Sequence, residues 1–312
     1  MDFLFGHIST TALSLLVALL LDRLFGEPNV LHPLVGFGKW VDWCRSALQL
    51  PAQVKPCQQR LNGVLAWGLA VLPFVLVLWW LLAVLPDWLE FILGTIVLYF
   101  TVGWQSLRQH GVAIAEPLRH GWLDDAREAV GRIVSRDTSS LSEGEISKAG
   151  IESVLENGSD AIFAPIFWFV LLGPVGALGY RLSNTLDAMW GYKTPSLLHF
   201  GWCAARIDDV LNYLPARLVV LTYAVCGKRE PAMRCARQQG CRWKSPNAGP
   251  VMAAGAGALT VKLGGKAQYF GETQERPCLG EGREPTVEDL DKSIWLVDKG
   301  VYLWAIVLCF LI

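Results

Sequence analysis

Val64 to Leu85 is an unbroken apolar stretch of 22 residues. At 1.5 Å of rise per residue a helix of that length spans the roughly 30 Å hydrocarbon core of a bilayer. No other feature restricts the fold as strongly. Backbone groups inside lipid must be satisfied within their own segment, so helices follow. Composition agrees. The 312 residues are 53% hydrophobic and include 14 tryptophans, and only 18% are charged, against about 25% in soluble domains.

Further stretches extend the pattern. Phe3 to Leu21 is preceded only by Met1-Asp2 and followed by Asp22-Arg23. It lacks the basic lead and small-residue cleavage site of a signal peptide, and reads as an uncleaved membrane helix. We expect an all-α polytopic integral membrane protein, a single domain over 1–312, with membrane segments near 3–21, 64–85, 91–107, 161–180, 210–226 and 294–312. About four or five of these are full membrane helices by length. Pro165, Gly173-Pro174, Gly176 and Gly179 interrupt 161–180, which therefore reads as a broken or re-entrant element lining a protein cavity. Trp79, Trp80 and Trp88 sit where an aromatic belt belongs.

Basic residues orient the chain. Arg23, Lys39, Arg45, Lys55 and Arg60 fall in 22–63, and Arg108, Arg119, Arg127, Arg132, Arg136 and Lys148 in 108–160. Eleven more lie in 227–293, and none lies in 86–90. The positive-inside rule puts 22–63, 108–160 and 227–293 in the cytoplasm. Within them, Leu123 to Arg136 has the period of an amphipathic helix. In "LSEGEISKAGIESVLEN", Ser142 and Glu145 form a capping-box pattern.

That second helix runs into the apolar stretch at "IESVLENGSDAIFAPIFWFVLLGP", 151–174, carrying Glu152, Glu156, Asn157 and Asp160 to its mouth. Lys148, Glu152 and Glu156 share one helical face. They fit either a solvated face with a local salt bridge or a polar site at the membrane surface, where unpaired acids are costly. Arg181, Asn184 and Asp187 recur every three residues, and Lys193 follows in "YRLSNTLDAMWGYK". Arg181 fits snorkelling to the interface. In "ARIDDVLNYLPAR" the adjacent Asp208 and Asp209, with Asn212, suit a hard cation such as Mg²⁺. Ion pairing of the two aspartates with Arg206 and Arg217 is the plainer reading. Arg136-Asp137 in "SRDTSSL" fits bidentate phosphate binding or a helix end. Ser245-Pro246-Asn247 opens a Gly/Ala-rich helix whose first amides suit an anion, unless its small residues serve close packing.

Several chemistries are excluded. Net charge is −1, which gives no electrostatic support for nucleic acid. The eight cysteines and five histidines lack zinc spacing, and the chain has no Gly-x-Ser-x-Gly elbow, Walker loop or Rossmann fingerprint. What remains equips a membrane protein for Mg²⁺-assisted phosphoryl chemistry or for holding a polyanion.

"DRLFGEP" with "HPLVGFG" (32–38), "SRDTSSL", "IESVLEN", "SDAIFAPIFW", "NTLDAMWGYK", "ARIDDVLNYLPARL", "SPNAGPVMAAGAGAL" and "LGG…YFG" (263–271) occur in order along nearly the whole chain. Together they resemble the adenosylcobinamide-phosphate synthase family of cobalamin biosynthesis. The chain departs from that pattern at Ala161, where the family has glycine, and at Pro250, where it has tryptophan. A histidine ahead of "SPNAG" is also missing. The resemblance implies an inner-membrane ligase with its active site facing the cytoplasm. Such a ligase uses ATP and Mg²⁺ to join adenosylcobyric acid to (R)-1-aminopropan-2-ol or its O-phosphate. It implies Asp208 and Asp209 as metal ligands, and Arg136, Lys193, Arg206 and Arg217 as partners of phosphates. Glu152 or Glu156 takes the amine proton or binds the ammonium, with Glu152 favoured, and Asp137 stands beside them as a catalytic candidate. Asn157, Asn184 and Asn247 orient substrate, with Asp160, Asp187, Asn212 and Ser245 completing the binding set. Its partners are the bilayer and these substrates, with a homo-oligomer or other cobalamin-assembly enzymes as protein partners. Two other readings fit the same residues: a sensor of a related membrane family, and a corrinoid-binding or transport protein without catalysis.

Overall fold

The computed structural model describes residues 2–28, 33–51, 53–134, 136–269 and 272–311, without the side chains of 2–9, 268–269 and 272–273. The helices, in chain order, are α1 (Asp2–Phe25), α2 (Pro33–Leu48), α3 (Pro56–Val84), α4 (Asp87–Thr101), α5 (Trp104–Arg119), α6 (Leu123–Gly131) and α7 (Glu143–Gly158). A π-helical turn, Ser159–Phe163, follows. Then come α8 (Ala164–Trp190), α9 (Trp202–Leu211), α10 (Tyr213–Cys226), α11 (Arg229–Gln239), α12 (Ala248–Leu259) and α13 (Val287–Leu311). Strands β1 (Lys262–Tyr269) and β2 (Glu272–Gly280) form an antiparallel hairpin between α12 and α13.

The chain is a polytopic, mostly helical membrane protein. Among the described residues, Pro56–Val84, Asp87–Arg119, Glu143–Trp190 and Val287–Leu311 are long and apolar enough to span a membrane. The bent pair α9–α10 makes a fifth if counted as one. The segment expected at 3–21 is helical, though part of it lies outside the described side chains.

The chain divides into two compact units, Met1–Gly103 with Ala164–Asn212, and Trp104–Phe163 with Tyr213–Leu311. In the first, α3 is 29 residues long, or about 43 Å. It turns Trp79 (61% exposed) and Leu76 outward, where lipid is their solvent. Its inner face packs Ala66, Ala70 and Val71 against Phe37, Leu186, Trp190 and Phe200. Gly63 allows closest approach there, since a Cβ would lie 2.0 Å from the Phe200 carbonyl oxygen. The interruption expected in 161–180 is real. Gly173 takes φ 65°, ψ −158°, open to glycine, and Pro174 follows without an amide hydrogen.

In the second unit α12 is almost wholly buried. Its Gly255 meets the Leu155 methyls and its Gly257 the Pro231 carbonyl, which is the close packing expected of small residues.

Four boundaries differ from expectation. The amphipathic helix ends at Gly131, short of Arg136. The stretch 91–107 is cut at Val102-Gly103, between α4 and α5. The last helix starts at Val287, ahead of 294, where Asp289 Oδ2 accepts the Thr286 amide at 3.0 Å and so caps it. The helix expected over 210–226 becomes α9 and α10, bent by 47°. Pro215 explains that bend, because it cannot donate to the carbonyl of Leu211 four residues earlier. The indole of Trp168 donates to that carbonyl instead, at 3.1 Å. The hairpin was not foreseen at all. Its β-bulge at Gly264/Gly265 uses positive φ at both glycines.

Candidate functional site

In the second unit the acids of α7 have specific partners. The Ser142–Glu145 capping box forms as expected, with Glu145 Oε2 accepting from the Ser142 amide at 2.9 Å and from its hydroxyl at 2.7 Å. Glu152 is buried. Its Oε1 accepts from the Gly264 amide at 2.7 Å and from Arg276 Nη2 at 3.1 Å. Its Oε2 accepts from Arg276 Nη1 at 2.9 Å, and Arg136 Nη1 stands 3.5 Å away. Arg276 also lies 5.3 Å over the Trp243 ring. This bidentate, charge-assisted clasp replaces the local pairing that the face of Lys148, Glu152 and Glu156 suggested. Lys148 reaches Glu284 at 2.8 Å instead. Glu156 and Asp160 are half-buried and Asn157 is exposed. Asn157 donates to the Ser153 carbonyl at 2.9 Å.

Asp137 is on the surface and shapes a turn. It accepts from the Ser139 amide at 3.0 Å and from its hydroxyl at 2.7 Å. These bonds, the amide's first, hold its carboxyl below the usual carboxylate range. The turn is therefore favoured above that range and loosens as pH falls through the lowered value.

At the start of α12 the Ser245 hydroxyl accepts from the amides of Asn247 (3.3 Å) and Ala248 (3.2 Å). Arg217 donates to Asn247 Oδ1 at 2.6 Å and to the carbonyls of Tyr213 and Pro246, both at 3.1 Å. It also lies 3.7 Å over the Tyr213 ring. Arg217 thus pairs with this turn, while the aspartates it was weighed against belong to the first unit.

In the first unit a polar cluster sits where α9 bends away. The Asn184 amide nitrogen donates to Asp208 Oδ1 at 3.1 Å, and the Asn212 backbone amide donates to the Asp208 carbonyl at 2.9 Å. Tyr180 donates its hydroxyl to Asn212 Oδ1 at 2.8 Å. Asp209, next in sequence, faces Arg206 at 3.8 Å and the positive field of Lys193. Neighbours on a helix diverge, so Asp208 and Asp209 have different protein partners here and would share one cation only with waters completing its shell. Asp187 is half-buried one turn beyond Asn184, and its own carbonyl accepts the Gly191 amide at 2.7 Å.

Among the described residues no three His, Cys, Asp or Glu side chains converge on a point. The hard oxygens of Asp208, Asp209 and Asn184 nevertheless match what Mg²⁺ takes, which is one or two carboxylates with waters and substrate phosphate supplying the rest.

The expected residues thus gather as Asn184–Asp208–Asn212, Arg206–Asp209–Lys193, Arg136–Glu152 and Arg217–Asn247–Ser245. Arg276, Gly264, Tyr180 and Trp243 were missed. Gly264 stood in view as part of "LGG" and Tyr180 as the first residue of "YRLSNTLDAMWGYK", and neither was singled out. His32, Ser135, Phe270 and Gly271, which belong to the quoted segments, lie outside the described residues.

Residues 15–297 match the model of the family described as CobD/Cbib protein. The chain is 55% identical to the Cobalamin biosynthesis protein CobD of Chromobacterium violaceum, over 95% of each chain. It is 52% identical to that of Stutzerimonas stutzeri, over 96% of this chain and 97% of the relative. Identity to that of Mycobacterium tuberculosis is 37%, over 96% of each. No solved structure matches the chain.

Proposed function

We propose, from the premise that this chain belongs to the CobD/Cbib protein family, that it is the amide ligase of cobalamin assembly at the inner membrane. It joins adenosylcobyric acid to (R)-1-aminopropan-2-ol or its O-phosphate with consumption of ATP. The observation that carries this reading is the polar cluster in which Asn184 holds Asp208 and Tyr180 holds Asn212. A carboxylate and two amides inside membrane-length helices are costly to keep there without a ligand to serve.

A carboxylate is a poor acylating group, because its leaving group would be oxide. Transfer of the ATP γ-phosphoryl group to the substrate carboxylate gives an acyl phosphate and ADP. The amine then attacks the carbonyl carbon, phosphate leaves, and one proton passes from the nitrogen to a base. Asp208 and Asp209 are the residues that would hold Mg²⁺, which when bound neutralises charge on the phosphate oxygens. Lys193 and Arg206 beside Asp209 bind phosphate, and Asn184 and Asn212 orient what Asp208 holds. Of the two acids on α7, Glu156 takes the amine proton, since Glu152 is engaged by Arg276 and Gly264.

Purified protein in detergent, given adenosylcobyric acid, Mg-ATP and each amine donor in turn, tests the proposal. ATP consumption should require both the corrinoid acid and the amine, with the amide product seen by mass. Affinity for the corrinoid without turnover would establish the binding or transport reading instead.

A further inference from the structure

We propose that Tyr223 is a positioning residue for Glu156, an inference that rests on Glu156 as the base of the reading above. The Tyr223 side chain in α10 is fully buried, and its hydroxyl donates to the Leu155 carbonyl at 3.0 Å, from 68 positions away. That carbonyl belongs to the peptide group whose nitrogen is Glu156's own. The bond therefore fixes the plane from which the Glu156 side chain hangs.

The helix needs such a hold at this point. The Ser159 amide is shared between the carbonyls of Leu155 and Glu156, and the π-helical turn Ser159–Phe163 begins there. Regular α-helical bonding thus ends within one turn of Glu156, and π turns inside helices gather at functional sites. The surroundings are shaped to the tyrosine. A Cβ on Gly158 would lie 2.7 Å from its hydroxyl oxygen, so glycine leaves it room. Phe163, the last residue of the π turn, meets its ring edge-on at 6.3 Å.

Stability alone does not account for the bond. Elsewhere in this chain helical hydroxyls donate to the carbonyl four residues back: Ser183 to Gly179, Thr185 to Arg181 and Thr222 to Leu218, each at 2.8 Å. Ser159 has helical backbone angles, φ −62° and ψ −53°, and its equivalent acceptor is the Leu155 carbonyl. Both lone pairs of that oxygen are taken, one by the Ser159 amide and one by Tyr223. The Ser159 hydroxyl is left 2% exposed and without a hydrogen-bond partner, which costs stability. Phenylalanine at 223 would let Ser159 take the oxygen and leave no orphan. The chain instead brings the donor from another helix, and what that donor adds is a tether between α10 and the backbone of Glu156.

The test is a double-mutant cycle of Tyr223→Phe and Glu156→Gln in the full-length protein in detergent, read by rates of amide formation and by melting curves. Tyr223→Phe should lower kcat about tenfold, with KM for the amine within about twofold of wild type. It should melt no lower than wild type, because Ser159 takes the freed carbonyl. In the Glu156→Gln background it should lower the rate no further, since the residue it acts through is gone. Tyr223→Phe combined with Ser159→Ala leaves the carbonyl with neither hydroxyl and should melt below either single variant. Equal losses of rate in both backgrounds would mean that Tyr223 acts elsewhere, and would overturn the proposal. A Tyr223→Phe protein that does not fold, or that melts well below wild type at an unchanged rate, would overturn it in favour of a structural role. A Tyr223→Phe protein with the rate and melting curve of wild type overturns it and leaves the ligase reading standing. A wild type that makes no amide sinks that reading, and this one with it.

Discussion

Asn184 donates to Asp208 across 3.1 Å and so ties α8 to α9 at the point where the membrane-length pair bends. An asparagine at 208 keeps an oxygen for that bond while removing the charge. We therefore expect Asp208→Asn and Asp209→Asn to fold normally. Turnover should fall on the order of a hundredfold, with partial recovery at high Mg²⁺ for at least one variant. Initial rates against Mg²⁺ concentration check this, and wild-type rates in both variants would remove the metal from this cluster.

The two acids of α7 should separate by phenotype. Glu152→Gln takes the counter-charge from Arg276 and Arg136, and breaking a buried pair from one side costs about 3–5 kcal/mol. Its melting temperature in detergent should drop sharply. Glu156→Gln should melt close to wild type and lose on the order of a hundredfold in rate, as a missing general base does. A stable Glu152→Gln protein would show that the clasp contributes little.

Gly264 and Gly265 make a controlled comparison. Both have positive φ, 73° and 79°, but a Cβ on Gly264 would meet the Pro277 carbonyl oxygen at 2.0 Å while Gly265 faces open space. Gly265→Ala should cost about 1 kcal/mol, the left-handed penalty alone. Gly264→Ala should cost more, because the strand must shift and the amide that reaches Glu152 shifts with it. Equal melting losses would contradict this.

The ends of α3 test orientation. Cys57 is exposed near its start and Asp87 lies just past its end. In chains whose single cysteine stands at 57 or at 87, a membrane-impermeant maleimide applied to intact cells should label 87 and spare 57, as the basic residues of 22–63 require. Labelling of both from outside would reject the orientation.

How much of this was legible in the sequence depended on distance along the chain. The capping box spans three residues, the α3 run is continuous, and Gly173-Pro174 breaks a helix wherever it occurs, so each could be read locally. The bend at Asn212 was half-legible. Pro215 stood in view, but its consequence depended on an indole 43 positions earlier being able to take the orphaned carbonyl. The clasp of Glu152 was illegible, because its arginine lies 124 positions away on a hairpin whose alternation is broken by Gly264-Gly265 and Pro277. Lys148 shows the same limit. Helical spacing pointed to Glu152, and the folded chain gave it Glu284. Of the missed site residues, Arg276 and Gly264 are delivered by the hairpin and Trp243 by the turn before α12, while Tyr180 stood in α8 beside residues that were found.

The separation of 124 positions from Glu152 to Arg276 is also an interval of time. At 5–20 residues per second a ribosome needs about 6–25 s to make Arg276 after Glu152. Through that interval the nascent chain carries a carboxylate whose main partners do not yet exist, with Arg136 the member of the clasp already made. A chain that stops short of the hairpin never completes the clasp. The fate of one acid in a nascent chain of this protein therefore reports whether the hairpin has been made.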